Sequence, residues 1–250
     1  MNKAVIISIR NKSSRLPEKS FLHIGLNTSV DFLISRIQSH LHDVRIIIAT
    51  SDHDEDQIFV KVANRNNVDI FCGSQDDKID RYYKCCLEFN LDSVIVIDGD
   101  DLFVSINLIS ELLFNKFSNN AVIVYNDNLP IGLAPYFFSF VALDLIMKSK
   151  NINNTEVWGE IVANIESINF IIRETPEYFH NFHTYRLTLD YPEDLIIMNY
   201  IWNKLGRKIG FSDDELLEVL NTLETNYLKL MVDANNSYKS NIEITKKNQK

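Results

Sequence analysis

The first half of the chain alternates short apolar, β-branched runs with longer segments in which apolar residues recur at helical spacing. The apolar runs predict strands buried on both faces, at residues 4–9, 44–50, 68–72, 93–98 and 121–125. The amphipathic segments between them predict helices at residues 28–41, 54–66 and 74–89. Because strands that alternate with helices are joined by right-handed crossovers, this pattern predicts an α/β fold with a mostly parallel sheet.

The second half of the chain has a less regular pattern. It predicts strands at residues 136–143, 168–175 and 186–190 and helices at residues 192–205 and 212–231. Residues 232–250 are polar, and we expect them to form a frayed or disordered tail. Since no linker rich in glycine, serine or proline divides the chain, we expect a single domain over residues 1–231.

Composition and charge narrow the classes of function. The 250 residues carry a formal net charge of −9, which argues against binding along nucleic acid but allows a small anion to bind at a local basic site. The three cysteines, Cys72, Cys85 and Cys86, fit neither a disulfide framework nor a zinc site. The first apolar run is too short to cross a membrane. These features predict a cytoplasmic protein that does not associate with membranes.

A basic loop follows the first predicted strand. Its sequence, "RNKSSRLPEK" at residues 10–19, holds four basic side chains and one acid. In parallel sheets ligands bind beyond the carboxyl ends of the strands, which is where this loop begins. Arginine presents a fork to phosphate oxygens, lysine adds a compact charge, and serine hydroxyls complete such a site. The loop therefore favours polyphosphate binding, although a solvated surface loop would have the same composition.

Six motifs extend the pattern from about residue 3 to residue 205. The loop matches R-x-x-S-x-R-L-P-x-K, and the other five are "ATSD" (49–52), "GSQDDKIDRYY" (73–83), "DGDD" (98–101), "PIGLAPYFFSF" (130–140) and "RLTLDYPEDL" (186–195). Each motif is weak alone, but the six occur in one order. In this order they resemble the cytidylyltransferase family that includes CMP-Kdo synthetases, other CMP-acidic sugar synthetases and the spore-coat polysaccharide cytidylyltransferases.

The resemblance implies both an architecture and an activity. It implies a Rossmann-like sheet of the nucleotide-diphospho-sugar-transferase type, with a smaller antiparallel extension for substrate and dimer contacts. Residues 1–127 would form the nucleotide-binding half and residues 128–190 the extension. It also implies that CTP and an acidic sugar or related anion give a CMP conjugate and pyrophosphate, for surface-glycan biosynthesis. By the same resemblance the protein would be a homodimer.

The resemblance also assigns residues to the reaction. Arg10, Ser13, Arg15 and Lys19 would hold the triphosphate, with Arg10 and Lys19 as the catalytic cations that stabilise charge on the leaving pyrophosphate. Ser74, Asp80 and Arg81 would make further nucleotide contacts, although Ser74 with Asp77 also fits a helix-capping box. Asp100 and Asp190 match the family's Mg²⁺ positions. Each of these two acids follows a predicted strand, so they can converge at one edge of the sheet.

Other interpretations of these motifs remain open. The "DGD" at residues 98–100 is also a D-x-D motif, the metal site of many glycosyltransferases with a similar α/β core. The same acids are typical of a turn, and Asp190 lies just before a predicted helix start. A catalytically silent, nucleotide-binding paralogue that acts as a partner subunit is a further alternative.

An acidic acceptor needs cations outside the triphosphate loop. The candidates are Arg173, His180, His183 and Arg186, in a segment that is also typical of aromatic packing. Four positions depart from the family pattern, at Lys12 and Glu18 in the loop and at Ala134 and Tyr136 in the "PIGLAPYFFSF" motif. These departures leave the identity of the acceptor open.

Overall fold

The computed structural model describes residues 2–13 and 15–248 and contains one central sheet of seven strands. The strands are β1 (Lys3–Ser8), β2 (His23–Ile24), β3 (Asn27–Thr28), β4 (Arg45–Ser51), β5 (Asp69–Gly73), β6 (Ser93–Asp98), β7 (Ala121–Tyr125), β8 (Tyr136–Ser139) and β9 (Asn169–Arg173). The order in the sheet is β5-β4-β1-β6-β8-β7-β9, and only β8 pairs antiparallel with its neighbours there. Strands β2 and β3 form a separate antiparallel pair. The predicted α/β class is confirmed.

Helices cover both faces of the sheet. They are α1 (Ser29–His40), α2 (Ile58–Asn66), α3 (Lys78–Phe89), α4 (Ile106–Phe114), α5 (Phe140–Ser149), α6 (Gly159–Ala163), α7 (Pro192–Lys204), α8 (Asp213–Asn221) and α9 (Thr225–Asn248). Short 3₁₀ turns lie at Lys19–Phe21, Asp54–Gln57 and Glu177–Phe182. Within the described residues, no helix is long and apolar enough to span a membrane.

The sheet separates two apolar layers because successive side chains of a strand point to opposite faces. In β1, Val5 and Ile7 pack with residues of α1, α4 and α7, whereas Ala4 and Ile6 pack with residues of α3 and α5. Burial on both faces accounts for the continuous apolar runs that predicted β1, β4, β6 and β7. Strand β5 lies at the edge of the sheet and is only partly buried. All five predicted runs are confirmed as β1, β4, β5, β6 and β7.

Several boundaries differ from the predictions. The apolar run at 136–143 is strand only to Ser139, whose hydroxyl accepts from the Ala142 amide and starts α5. Residues 186–190 do not form a strand; they make one isolated bridge, between Arg186 and Ile131. The helix predicted at 212–231 is divided into α8 and α9 by residues 222–224.

The predicted disordered tail is also wrong over the described residues. Helix α9 continues to Asn248, while the last residues of the predicted tail, 249–250, lie outside the described residues. The helix has a reason to persist, because α9 packs along α7 and places Tyr238 against two arginines. The polar composition of this segment gives no sign of these tertiary contacts, which stabilise the helix.

Candidate active site

The segment that carries Asp190 is fixed at the carboxyl end of β6 by backbone hydrogen bonds. The Leu187 amide donates to the Ile131 carbonyl at 2.7 Å, and the Leu189 amide donates to the Asp100 carbonyl at 2.9 Å. Gly132 permits this close approach, since it has φ +92° and a Cβ there would lie 2.5 Å from the Leu187 oxygen. Two acids 90 positions apart in the sequence therefore lie side by side.

Four predicted residues meet here in what we call the central cluster: Arg15, Lys19, Asp100 and Asp190. The Lys19 ammonium donates to Asp100 and, at 2.9 Å, to Asp190 Oδ1. The Arg15 guanidinium donates to the same Asp190 oxygen at 2.5 Å. The basic loop thus reaches the two predicted metal ligands directly, and one lysine nitrogen bridges both carboxylates.

A buried arginine, Arg186, binds the carboxylate of Asp190. Arg186 is fully buried; its Nη2 donates to Asp190 Oδ2 at 2.7 Å and its Nε to Asp194 at 3.1 Å. Asp194 in turn accepts from the backbone amides of Asp190 and Tyr191, each at 2.9 Å. These bonds fix the position of the Asp190 carboxylate. Asp194 therefore has a structural role at the start of α7.

The charges of the central cluster are set by their partners. Burial alone would raise the pKa of Asp190, but Lys19, Arg15 and Arg186 lower this pKa to about 2. Burial opposes the charge of Lys19, yet Asp100 and Asp190 raise the pKa of Lys19 above its ordinary value. Asp101 differs, because burial together with Asp100 and Asp98 raises the pKa of this carboxyl group well above its usual range.

Arg10 lies in a second group, which we call the outer quartet: Arg10, Lys78, Asp98 and Glu156. Arg10 donates to the Gln75 carbonyl at 2.7 Å and to Glu156 Oε2 at 2.8 Å. Lys78 lies 3.1 Å from Asp98 and 3.5 Å from Glu156. The first acid of the D-x-D motif is therefore paired with Lys78, while the second acid is paired with Lys19.

The other predicted nucleotide contacts have local roles in this conformation. Ser13 accepts from the Leu16 amide at 3.3 Å, and Ser74 accepts from the Asp77 amide at 3.2 Å. Helix α3 begins only at Lys78, with Asp77 as its N-cap rather than Ser74. Asp80 pairs with Lys84 at 2.9 Å.

Arg81, predicted to make a further nucleotide contact, lies inside the protein in this conformation. It is fully buried and donates to the Ser74 carbonyl at 2.8 Å and to the Ser8 hydroxyl at 3.2 Å. With no exposed surface, this side chain supports the Ser74 turn from inside the protein.

Only one of the four predicted acceptor residues reaches the central cluster, and it is Arg186. Arg173 pairs with Glu111 of α4, and His180 Nε2 is 2.9 Å from the Thr175 carbonyl. His183 is exposed, with Nδ1 3.0 Å from the His180 carbonyl. These residues are close in the sequence, but Arg173 on β9 pairs with α4, and the two histidines contact backbone carbonyls of their own segment.

Helix α9 completes the surroundings of the central cluster. The Tyr238 ring lies 4.9 Å from the Arg186 guanidinium carbon and 5.9 Å from that of Arg15. Asn241 donates to the Tyr191 hydroxyl at 2.8 Å. A segment expected to be disordered therefore contacts two cations of the site, which local sequence signals do not reveal.

One departure from the family pattern is visible in the backbone of the basic loop. Glu18, which directly precedes Lys19, has φ +54°, in the left-handed region that favours glycine. A side chain there costs about 1 kcal/mol of backbone strain. The strained residue sets the direction in which the chain enters the 3₁₀ turn that carries Lys19.

The Asp100 and Asp190 carboxylates are suited to hold a divalent cation whose other ligands would be phosphate oxygens and water. Both carboxylates lie within hydrogen-bonding reach of one nitrogen, that of Lys19, so Asp100 and Asp190 are the side chains that would hold a divalent cation. Among the described residues no group of three His, Cys, Asp or Glu side chains is placed to hold a metal. Two carboxylates completed by phosphate oxygens and water are the arrangement that Mg²⁺ commonly uses.

Comparison with known proteins identifies a matching family and a similar protein. A family model described as "Cytidylyltransferase" matches residues 4–239. The chain is 28% identical over 226 residues to the spore coat polysaccharide biosynthesis protein SpsF of Bacillus subtilis, covering 86% of this chain and 92% of SpsF.

Solved structures share the fold. A cytidylyltransferase from Leptospira borgpetersenii has a TM-score of 0.78 at 21% identity and covers 92% of this chain and 97% of its own. A CMP:2-keto-3-deoxy-manno-octonic acid synthetase complexed with CTP has a TM-score of 0.56 at 12% identity. That match covers 81% of this chain and 99% of the synthetase chain.

Proposed function

Since the chain belongs to the cytidylyltransferase family, a family of nucleotidyltransferases, we propose that it transfers a cytidylyl group from CTP to an anionic, sugar-type acceptor and releases pyrophosphate. The observation that carries this proposal is the central cluster, where loop cations and two strand-end carboxylates meet. The family match confirms the resemblance seen in the six sequence motifs. It also favours nucleotidyl transfer over the glycosyltransferase alternative.

The basic loop would bind the triphosphate. Arg15 and Lys19 lie at the carboxyl edge of the sheet, and both are charged at neutral pH because of the acids beside them. In a transfer at the α-phosphorus, negative charge develops on the leaving pyrophosphate. Fixed cations beside that group lower the barrier without forming a covalent bond to the substrate. Arg10 would add a further cation once its ion pair with Glu156 is broken.

Asp100 and Asp190 would hold Mg²⁺ together with the phosphates. When bound there, Mg²⁺ would neutralise phosphate charge and orient the triphosphate. A pKa of about 2 keeps Asp190 ionised at any pH near neutrality, so its carboxylate is ready to bind a cation. For the cation to occupy this position, Lys19 has to turn from the two acids toward the phosphates.

The names of similar proteins support the proposed acceptor class. SpsF is named for polysaccharide biosynthesis, and the synthetase with the same fold is named for a sugar acid. We therefore propose an acidic sugar or related anion as acceptor and surface-glycan synthesis as the process. Tyr136 is one feature that would shape acceptor choice, since it lies close enough to Asp98 and Lys78 to interact with them electrostatically.

Product analysis tests the proposal. The protein is incubated with Mg²⁺, one nucleoside triphosphate and a panel of sugar acids, while pyrophosphate release is measured and products are identified by mass spectrometry. We expect a CMP conjugate from CTP, loss of activity in Lys19→Met, and no loss in Lys208→Met, whose exposed lysine pairs with Glu215. Turnover of a sugar nucleotide instead of CTP would overturn the proposal and favour the glycosyltransferase. Nucleotide binding without any product would favour the silent paralogue.

A further inference from the structure

Two cations of the outer quartet hold a single carboxylate between them. Glu156 presents Oε2 to Arg10 at 2.8 Å and Oε1 to Lys78 at 3.5 Å. The two cations come from separate parts of the fold, the loop after β1 and the first residue of α3. Such convergence of two cations on one carboxylate is how proteins commonly bind an anionic ligand.

The cations of this site are more buried than the anion. The side chains of Arg10 and Lys78 are 21% and 14% exposed, whereas that of Glu156 is 44% exposed. Burial opposes the charge of Lys78, but Asp98 and Glu156 raise its pKa well above the ordinary value, so Lys78 is a permanent cation. Arg10 and Lys78 therefore form the fixed part of the site, and the more exposed Glu156 carboxylate lies between them on the solvent side.

The position of Glu156 is set by the residue before it. Thr155 is fully buried; its hydroxyl accepts from the Ile79 amide at 3.0 Å and donates to Asp77 at 2.8 Å. The Thr155 amide also donates to the Asp76 carbonyl at 3.1 Å. This anchor attaches the connection between α5 and α6 to the start of α3 and brings Glu156 opposite both cations.

We propose that Arg10 and Lys78 form an anion subsite for a substrate group, and that Glu156 occupies this subsite until the substrate displaces it. Lys78 is then a further binding residue and Glu156 an internal competitor. The inference rests on the proposed function in taking the anion to be a substrate group. When Glu156 leaves, the two cations retain Asp98 at 3.1 Å from Lys78 and Asp76 at 3.7 Å from Arg10.

The anion would be a phosphate or a carboxylate. Asp76 is 69% exposed, so solvent screens it and the emptied subsite still attracts anions. A phosphate group carries more charge and more acceptor oxygens than the Glu156 carboxylate, which explains how a triphosphate would displace it. A sugar-acid carboxylate also offers hydrogen-bond-accepting oxygens but carries less charge. Binding measurements distinguish whether the bound anion is a phosphate or a carboxylate.

Calorimetric titration of three variants tests the subsite. The probes are CTP with Mg²⁺, inorganic tripolyphosphate and 2-keto-3-deoxy-manno-octonic acid. Glu156→Gln should bind the displacing anion about threefold more tightly, as expected for loss of one partly exposed ion pair. Lys78→Gln should bind it about tenfold more weakly, as expected for loss of one charge-assisted bond. Glu160→Gln, an exposed acid on α6, should match the wild type.

A second lysine variant separates binding from folding. Lys78→Gln leaves Asp98 without its cation, so its unfolding temperature is measured beside that of Lys78→Arg, which should restore both stability and binding. Equal effects on CTP and tripolyphosphate would identify a phosphate as the anion, and effects confined to the sugar acid would identify a carboxylate.

The inference and the proposed function can fail independently. Affinities that Glu156→Gln and Lys78→Gln both leave unchanged for all three probes would overturn the inference, as would absence of binding to Glu156→Gln. If CTP still binds with Mg²⁺ in that case, the proposed function stands. Tripolyphosphate binding that responds to both variants, with no preference for CTP over other nucleotides, would support the subsite and contradict the proposed function.

Discussion

Gly132 gives a sharp test of how the site is assembled. Replacement by alanine imposes two separate costs, because the residue has φ +92° and because the new Cβ would lie 2.5 Å from the Leu187 oxygen. Two other glycines provide matched controls. Gly206 has φ +67° with nothing within 4 Å of its Cβ position, and Gly159 has neither constraint.

The three replacements should differ by amounts that follow from these geometries. Gly159→Ala lies at the start of α6 and should be neutral or stabilise the protein by about 0.5 kcal/mol. Gly206→Ala should cost about 1 kcal/mol for the left-handed backbone. Gly132→Ala should cost about 3 kcal/mol, since displacement of Leu187 adds overpacking and weakens its bond to Ile131.

Urea unfolding at 25 °C measures these free energies, and titration with CTP measures the effect on the site. Gly132→Ala should also weaken CTP binding, because Leu187 lies only three residues before Asp190. The two control variants should bind as the wild type does. A Gly132→Ala protein that is no less stable than Gly206→Ala and binds CTP normally would refute the role assigned to this close approach.

Three further predictions concern the central cluster and its surroundings. Asp190→Asn should lower the free energy of unfolding by about 2 kcal/mol at pH 7. The difference should fade below pH 4, because Asp190 has a lower pKa in the folded protein than in the unfolded chain. The resulting stabilisation is fully present above the unfolded pKa and is lost as the pH falls toward 2. A difference that does not change with pH would contradict this. Tyr238→Ala should cost about 1 kcal/mol and Tyr238→Phe much less, because the ring contacts the arginines; equal losses in urea unfolding would contradict it. Asp101→Asn should preserve Mg²⁺-dependent CTP binding whereas Asp100→Asn abolishes it, because Asp101 is buried and its pKa is raised by burial together with Asp100 and Asp98, which disfavours the ionised carboxylate that a cation needs. Equal losses in calorimetry would contradict that assignment.

The first half of the fold was predictable from sequence because four of its five predicted strands, β1, β4, β6 and β7, are buried along most of their length. The position of Asp100 was predictable for a related reason, since it closely follows an apolar strand at the edge where ligands bind. Lys19 was placed at the same site by the resemblance, and the roles of both residues stay predictions. The segment at 186–190 was misread as a strand because its alternating pattern does not show where its amides bond.

The outer quartet was not predictable from local patterns. Lys78 resembles an ordinary helix-start residue, and its partner Glu156 lies in a connection between helices. Tyr238 was missed for a similar reason, because a polar helix gives little sign of the arginines it contacts. Pairing over long sequence separations depends on tertiary packing, which no single segment reveals.

The most direct test of the account is calorimetric titration of the protein with CTP, UTP, ATP and GTP, with and without Mg²⁺, repeated on Lys19→Met. Selective binding of CTP that requires Mg²⁺ and falls sharply in Lys19→Met is the predicted result. Absence of triphosphate binding, or CTP binding that does not depend on Lys19, would contradict the assignment of the central cluster as the nucleotide site.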